Sequence, residues 1–278
     1  MKLYGLIATS LVTATLLVGC GSSGGGDGDS ITSIAPTEIT TEKDAKNAIA
    51  AISGTNSFSS GLTNTRSVTR NIEREVYSQP CYVSGSMTIE ASASDYTKLD
   101  STTKFDNCDN GGGAVNGNIV TTGSVDGYTT NMTMSMNNYS QKSEEMYLTA
   151  DIKFDIFANA NTGESKTIMN GTMHIEEYVT NDVIDVAYDN FSVKQEAYNA
   201  GTEINGKTAI TSKNYSCING TYDIKTIQPL QIGYNGYTDG EMEINGALYH
   251  YNNDGSVDVT LANGDKTTIS QTDEPVCN

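Results

Sequence analysis

The sequence predicts a mainly β protein: a large curved antiparallel sheet, sandwiched or partly closed as a barrel, with one or two short N-terminal helices. Three observations lead there. Apolar and polar residues alternate over long runs: Met132-Met134-Met136, Leu148-Ala150-Ile152-Phe154-Ile156, Ile184-Val186-Tyr188 and Val257-Val259-Leu261. A period of two marks strands covered on one face. Eight Asn-Gly dipeptides, at Asn110, Asn116, Asn170, Asn205, Asn219, Asn235, Asn245 and Asn263, separate or interrupt the runs. Asn-Gly accepts the positive φ angles of tight hairpins, and also those of bulges within strands. Finally, Gly, Asn, Thr and Ser are abundant while Pro is scarce and Trp is absent. The sum is a meander of about a dozen strands. Its single apolar face needs a cover, from the sheet folding over or from the helices.

The first element, 1–19, reads as a signal peptide. Lys2 is its basic start, and Leu6 to Val18 is an apolar stretch too short for a spanning helix of about 20 residues. It ends in Leu17-Val18-Gly19-Cys20, which closely resembles the bacterial lipobox. The resemblance implies diacylglycerol on the Cys20 sulfur, cleavage before Cys20 and acylation of the new amino group. Several acyl chains on one cysteine make a stable anchor, where one holds only marginally. By resemblance to lipoprotein sorting in two-membrane bacteria, Gly21 after the cysteine implies the outer membrane, on its periplasmic or surface face. Residues 20–38 read as a flexible tether, glycine- and serine-rich at the start.

Residues 39–77 read as a short helical segment. Thr41 can cap a helix from Thr40 to Ser53, with Glu42 and Asp44 in its first turn. Ala45, Ala48, Ile49 and Ile52 form its apolar stripe, and Gly54 supplies a stop. Over 65–77, Val68, Ile72 and Val76 recur every four residues, which predicts a second amphipathic helix. Arg66, Arg70 and Arg74, the only arginines, recur likewise on roughly the opposite face. Three cations a turn apart could meet lipid phosphates or an acidic partner; docking on the protein's own carboxylates is the plainer alternative.

Two β regions follow, 78–200 and 201–278, read as continuous. Beyond Cys20 there are four cysteines, Cys81, Cys108, Cys217 and Cys277. An even number in an exported chain implies disulfides. Three pairings are possible; Cys81–Cys108 and Cys217–Cys277 are expected because each pair brackets one β-rich segment. Zinc would want close Cys-x-x-Cys spacing, which is absent. Sixteen Tyr against five Phe predict a half-exposed sheet surface rather than a deep aromatic core.

Several strings together resemble a class of uncharacterised bacterial lipoproteins: Ile39-Thr40-Thr41-Glu42, Cys81 with Gly85, Phe105-Asp106-Asn107-Cys108, Val115-Asn116-Gly117, and Gly240 leading to Ile244 and Gly246. The resemblance covers most of the mature chain through loose turn-and-cysteine patterns. It implies an anchored, exported β protein and carries over no activity.

Chemistry is sparse. The net charge of −18 repels nucleic acid and anionic membrane surfaces. A Gly-x-Ser-x-Gly string at Gly21 to Gly25 lies in the tether, without the strand–turn–helix of a nucleophile elbow. His174 shares a strand face with Glu176 and Tyr178; this reads as a polar outer face, with acid–base work as the rival. His250 reads as surface. The pairs Glu144-Glu145 and Glu176-Glu177 point to opposite strand faces. Asp27-x-Asp29, Asp106-x-x-Asp109 and Asn252-Asn253-Asp254-Gly255 offer oxygen ligands to a hard cation such as calcium, without an EF-hand pattern. The sequence therefore predicts no catalytic residues, metal or cofactor. The expected function is a non-catalytic, lipid-anchored envelope protein that binds or supports an envelope protein, a lipid or a glycan. The alternative is a carrier of a hydrophobic ligand, with Met132, Met134 and Met136 on a concave face.

Overall fold

A computed structural model describes residues 36–60, 72–94, 97–197, 200–233 and 236–277. Among the described residues one α-helix, α1 (Glu42–Ser60), precedes fourteen strands: β1 (Ile72–Pro80), β2 (Ser84–Ser94), β3 (Lys98–Asp109), β4 (Ala114–Asp126), β5 (Thr129–Lys142), β6 (Met146–Asn159), β7 (Glu164–Glu177), β8 (Asp182–Gln195), β9 (Thr202–Ser212), β10 (Gly220–Gly233), β11 (Gly236–Ile244), β12 (Ala247–Tyr251), β13 (Ser256–Thr260) and β14 (Lys266–Ser270). Each strand pairs antiparallel with its sequence neighbours, in the order β1 to β14. It is one sheet, neither divided into a sandwich nor closed into a barrel, because β1 and β14 end it as edges.

The sequence reading needs two corrections. The second helix expected over 65–77 is overturned from Ile72 onward, where the chain is strand β1, running antiparallel to β2 from Ile72 opposite Ala93 to Pro80 opposite Ser86. Residues 65–71 lie outside the described residues. The first helix also runs through Gly54 to Ser60, because the glycine's cost of roughly 1 kcal/mol does not outweigh the continuing turns.

The helix starts as its sequence dictates. The Asp44 N–H donates to Thr41 Oγ1 (3.2 Å) and the Thr41 N–H donates to Asp44 Oδ2 (3.1 Å), a reciprocal cap on two otherwise orphaned donors. The stripe Ala45, Ala48, Ile49 and Ile52 is buried. It packs against β9, β14 and a 3₁₀ turn at Ser216–Ile218.

The strand alternation is realised across the sheet. Met134, Met136, Leu148, Ala150, Ile152, Phe154, Met169, Met173, Ile175, Val186 and Phe191 share one buried face. Phe154, Met169 and Phe191 are 0% exposed although they lie on β6, β7 and β8, away from β9 and β14, where the helix makes its main strand contacts. Burial that complete requires the sheet to curve over its own apolar side.

A row of bulges at mid-strand supplies the bend. Asn107 in β3, Asn138 in β5 and Asn190 in β8 hold φ of 47°, 48° and 49°. Pairing register slips at each. On one side a neighbouring strand offers an oxygen: the Asn107 N–H donates to Asn116 Oδ1 (2.8 Å), that of Asn138 to Asp151 Oδ1 (2.7 Å), and that of Asn190 to Asn170 Oδ1 (2.8 Å). On the other side lies a glycine, Gly85, Gly117 or Gly206. A Cβ there would stand 2.0, 2.2 or 2.2 Å from the carbonyl oxygen of Asn107, Asn138 or Asn190. In the next strand pair the Thr226 N–H donates to Asn205 Oδ1 (3.0 Å). An extra residue kinks its strand and steepens its twist, so a file of them from β3 to β10 creases the sheet across its width. Asn116, Asn170 and Asn205 thus belong to the crease, whereas Asn110, Asn245 and Asn263 sit at or beside turns.

The chain reaches α1 across two turns of the last four strands. The Ile39 N–H donates to the Asn245 carbonyl (3.4 Å), and the Ala262 N–H donates to the Ile39 carbonyl (2.9 Å). Asn245 and Asn263 donate through Nδ2 to the carbonyls of Thr37 and Thr40. Both amides belong to turns at the same end of the strands, the β11–β12 and β13–β14 connections.

Candidate functional surfaces

Two disulfides form, Cys81–Cys108 and Cys217–Cys277. The first joins the β1–β2 connection to the end of β3; the second fastens the C-terminal tail to the 3₁₀ turn. Bonds of this kind form and persist in oxidising compartments outside the cytoplasm. Among the described residues, no helix is long and apolar enough to cross a membrane. Cys20 and the residues around it, Asp27 and Asp29, and Arg66 and Arg70 lie outside the described residues. Arg74 falls in β1, so the three arginines are not a stripe on one helix.

The concave side is occupied by the protein itself. A hollow of about 180 Å³ lies beneath α1, lined by Ile49, Ile52, Tyr237, Met242, Tyr251 and Gln271. A pocket for a drug-sized ligand usually exceeds about 300 Å³. The tyrosines correct the sequence reading: Tyr139, Tyr188, Tyr222, Tyr249 and Tyr251 are buried in the core. Burial pushes the Tyr188, Tyr222, Tyr249 and Tyr251 hydroxyls well above the ordinary tyrosine range, so they stay neutral. Tyr222 donates to the Ile218 carbonyl (2.7 Å), fixing the turn that carries Cys217.

The convex side is polar. On it His174 Nδ1 lies 2.7 Å from Asp185 Oδ1, and Nε2 lies 3.5 Å from Glu176 Oε1. Thr211 Oγ1 donates to Asp185 Oδ2 (3.2 Å). Burial pulls the His174 pKa down, but the bond to Asp185 and the charge of Glu176 outweigh it, and the net shift is upward. Both ring nitrogens are thus held by carboxylates, with a third-strand hydroxyl orienting one of them. Tyr178, expected on this face, lies beyond the strand end at the β7–β8 tip. The sequence reading paired His174 with Glu176 but missed Asp185. Asp185 enters through strand register, which places it opposite His174.

The acidic turns use their oxygens locally. Asp109 Oδ1 accepts from the N–H groups of Gly111 and Gly113, and Asp254 Oδ1 accepts from the N–H and hydroxyl of Ser256.

Across β3 to β7, a groove of about 540 Å³ opens near the strand ends opposite the disulfide Cys81–Cys108. Asp100, Thr122, Asn131, Asp155, Phe157 and Lys166 line it. Asp155 is held in place: Thr133 Oγ1 donates to Oδ1 (2.7 Å) and Lys153 Nζ lies 2.8 Å from Oδ2. Burial raises its pKa, but those two partners prevail and keep it ionised. A fixed carboxylate, the Asn131 amide and several hydroxyls present hydrogen bonds beside a small apolar platform that includes the half-buried Phe157 ring. Nothing in the linear sequence marked these residues as a group, since five strands contribute them.

Compared with protein-family models, curated proteins and solved structures, the chain matches none.

Proposed function

We propose that this is a non-catalytic protein of the cell envelope, anchored at the outer membrane through an acylated Cys20, with a binding or supporting role. The observation that carries the reading is the division of the sheet. Its apolar face is filled by its own side chains and α1, while its polar face keeps an open groove of about 540 Å³. The lipobox resemblance and two disulfides support the location. The groove's mixture of amide, hydroxyl, carboxylate and ring suits a polar ligand such as a glycan better than an acyl chain. The carrier reading is the weaker of the two, because the hollow beneath α1 is only about 180 Å³.

Mass analysis of the native protein from fractionated cells, before and after delipidation and reduction, tests the reading. The expected product begins at Cys20, carries acyl chains, and sediments with outer membranes. A soluble chain still bearing residues 1–19 would refute the anchor. Titration of the groove with envelope glycans, comparing wild type with Phe157→Ala, tests the binding role; indifference to every glycan would remove that half.

A further inference from the structure

The two disulfides differ in how a reductant can reach them. Cys81 and Cys108 are buried, at 9% and 2% exposure. Cys217 is half-buried and Cys277 is exposed. A thiolate must touch a sulfur to open the bond, so exposed disulfides are the labile and regulatory ones.

The tail that Cys277 fastens is a strap over α1. After β14 the chain turns at Asp273, whose Oδ2 accepts from the Ser270 N–H (3.1 Å) and lies 3.4 Å from Lys46 Nζ. Farther on, the Val276 N–H donates to Asn47 Oδ1 (2.8 Å). At 3.6 residues per turn, Asn47 stands about 200° around the helix from Ala45, on the side turned away from the apolar stripe. It is nevertheless only 4% exposed. The helix is therefore held from two sides, by the sheet under its stripe and by the strap across its back. The next residue, Cys277, ties the strap to the 3₁₀ turn Ser216–Ile218, which packs on α1 and is pinned by the Tyr222 hydroxyl.

The other polar holds of the strap on α1 are slight. Among the described residues they are the Val276 bond and the partly exposed Lys46–Asp273 pair, both weak against water. Their loss strands no charge. Lys46 keeps Glu42, 2.9 Å away, and Asn47 would meet water where the strap had been. A covalent bond thus fastens a segment that little else retains.

We infer that Cys217–Cys277 is a redox latch: a dithiol that opens it frees the strap and loosens α1, while Cys81–Cys108 and the sheet stay as they are. One thiolate of the dithiol attacks Cys277 Sγ, the bond between the two cysteines breaks, and Cys217 leaves as a thiolate and takes up a proton. The second thiol then attacks the mixed disulfide and releases Cys277 as a thiol. The dithiol ends as a disulfide, and two electrons and two protons have passed to the cysteines. An oxidising compartment keeps the latch shut.

The test titrates full-length, oxidised protein with dithiothreitol under native conditions. Free thiols are alkylated, peptides carrying Cys277 and Cys81 are followed by mass spectrometry, and amide exchange is read along the chain. Cys277 is expected to label roughly tenfold or more faster than Cys81, as reach dictates. At the reductant level that opens Cys217–Cys277, exchange over α1 is expected to quicken roughly tenfold while β6–β8 hold theirs, a local rather than global opening. Reoxidation is expected to restore slow exchange. A Cys217→Ser, Cys277→Ser double variant should show fast α1 exchange without reductant. A Cys81→Ser, Cys108→Ser double variant should keep it slow until reductant is added. Where a double variant does not fold, titration of the unaltered protein decides by the same two readouts. Labelling of Cys81 with or before Cys277, α1 exchange indifferent to the opening of Cys217–Cys277, or an equal rise in β6–β8 overturns the inference.

Discussion

Strands β1–β4 and β9–β14 share one antiparallel pattern and end in opposite states of burial. In the later strands Ile204, Ile224, Leu230, Met242, Ile244, Tyr249, Val257 and Val259 are all at most 1% exposed. In the earlier ones Val76, Tyr77 and Leu99 are exposed, and Ile119 is the one buried aliphatic residue among the described positions of β1–β4. The difference lies in what stands over each region. The later strands face α1 and the tail clamped by Cys217–Cys277. On their inward face the earlier strands carry Met87, Ile89, Leu99 and Phe105 among the small or polar Ala91, Ser101, Thr103 and Thr121, and the four large side chains stay half-buried or exposed. Alternation thus defines which way a side chain points; a cover defines whether pointing inward stabilises anything.

The same substitution in both regions sharpens that contrast most. Ile244→Ala is expected to cost about 2–5 kcal/mol, as a fully buried aliphatic truncation does. Ile89→Ala, at a half-buried site on β2, is expected to cost roughly 1 kcal/mol. Denaturant midpoints of the two variants measure the gap, and equal losses would break the comparison. Next comes Gly117→Ala in the crease. Its φ of 98° and the 2.2 Å approach to the Asn138 carbonyl predict a loss of about 1–3 kcal/mol, with local amide exchange quickening around Asn138. Thr41→Ala removes the helix cap and is expected to cost about 1 kcal/mol, loosening the cover and hence β9–β14 more than β1–β4. The smallest effect belongs to His174. Its pKa is raised on folding, so its stabilising contribution is complete below the unfolded value near 6.5 and fades as pH rises through the folded value. His174→Gln should flatten the stability profile across that window, by little, because the imidazole is partly solvated.

Much of the architecture was legible. The runs through Leu148–Ile156 and Val257–Leu261 carry their period openly, and Thr41 with Asp44 announces the helix start. Strand β1 was not. Val68, Ile72 and Val76 are spaced as on a helix, and an edge strand owes its conformation to the partner it pairs with rather than to its own pattern. The buried tyrosines were hidden for a related reason: composition counts rings without saying which stand under α1. The convex groove, and Asp185 beside His174, come from register across strands far apart in sequence. The Asn-Gly dipeptides spoke ambiguously, and only the neighbouring positive-φ asparagines separate those that bend the sheet from those that turn the chain.

The docking of α1 also governs assembly order. Every strand pairs with the one synthesised just before it, so the sheet can zip progressively through nearby contacts, which favours rapid formation. The helix is made first but finds its seat only when Tyr249, whose hydroxyl lies 3.5 Å from the Ala45 carbonyl across 204 residues, and the last strands have appeared. Until then its apolar stripe waits without a home, a natural target for a holding chaperone. Among the described residues, the earliest secondary structure is therefore the last to be locked.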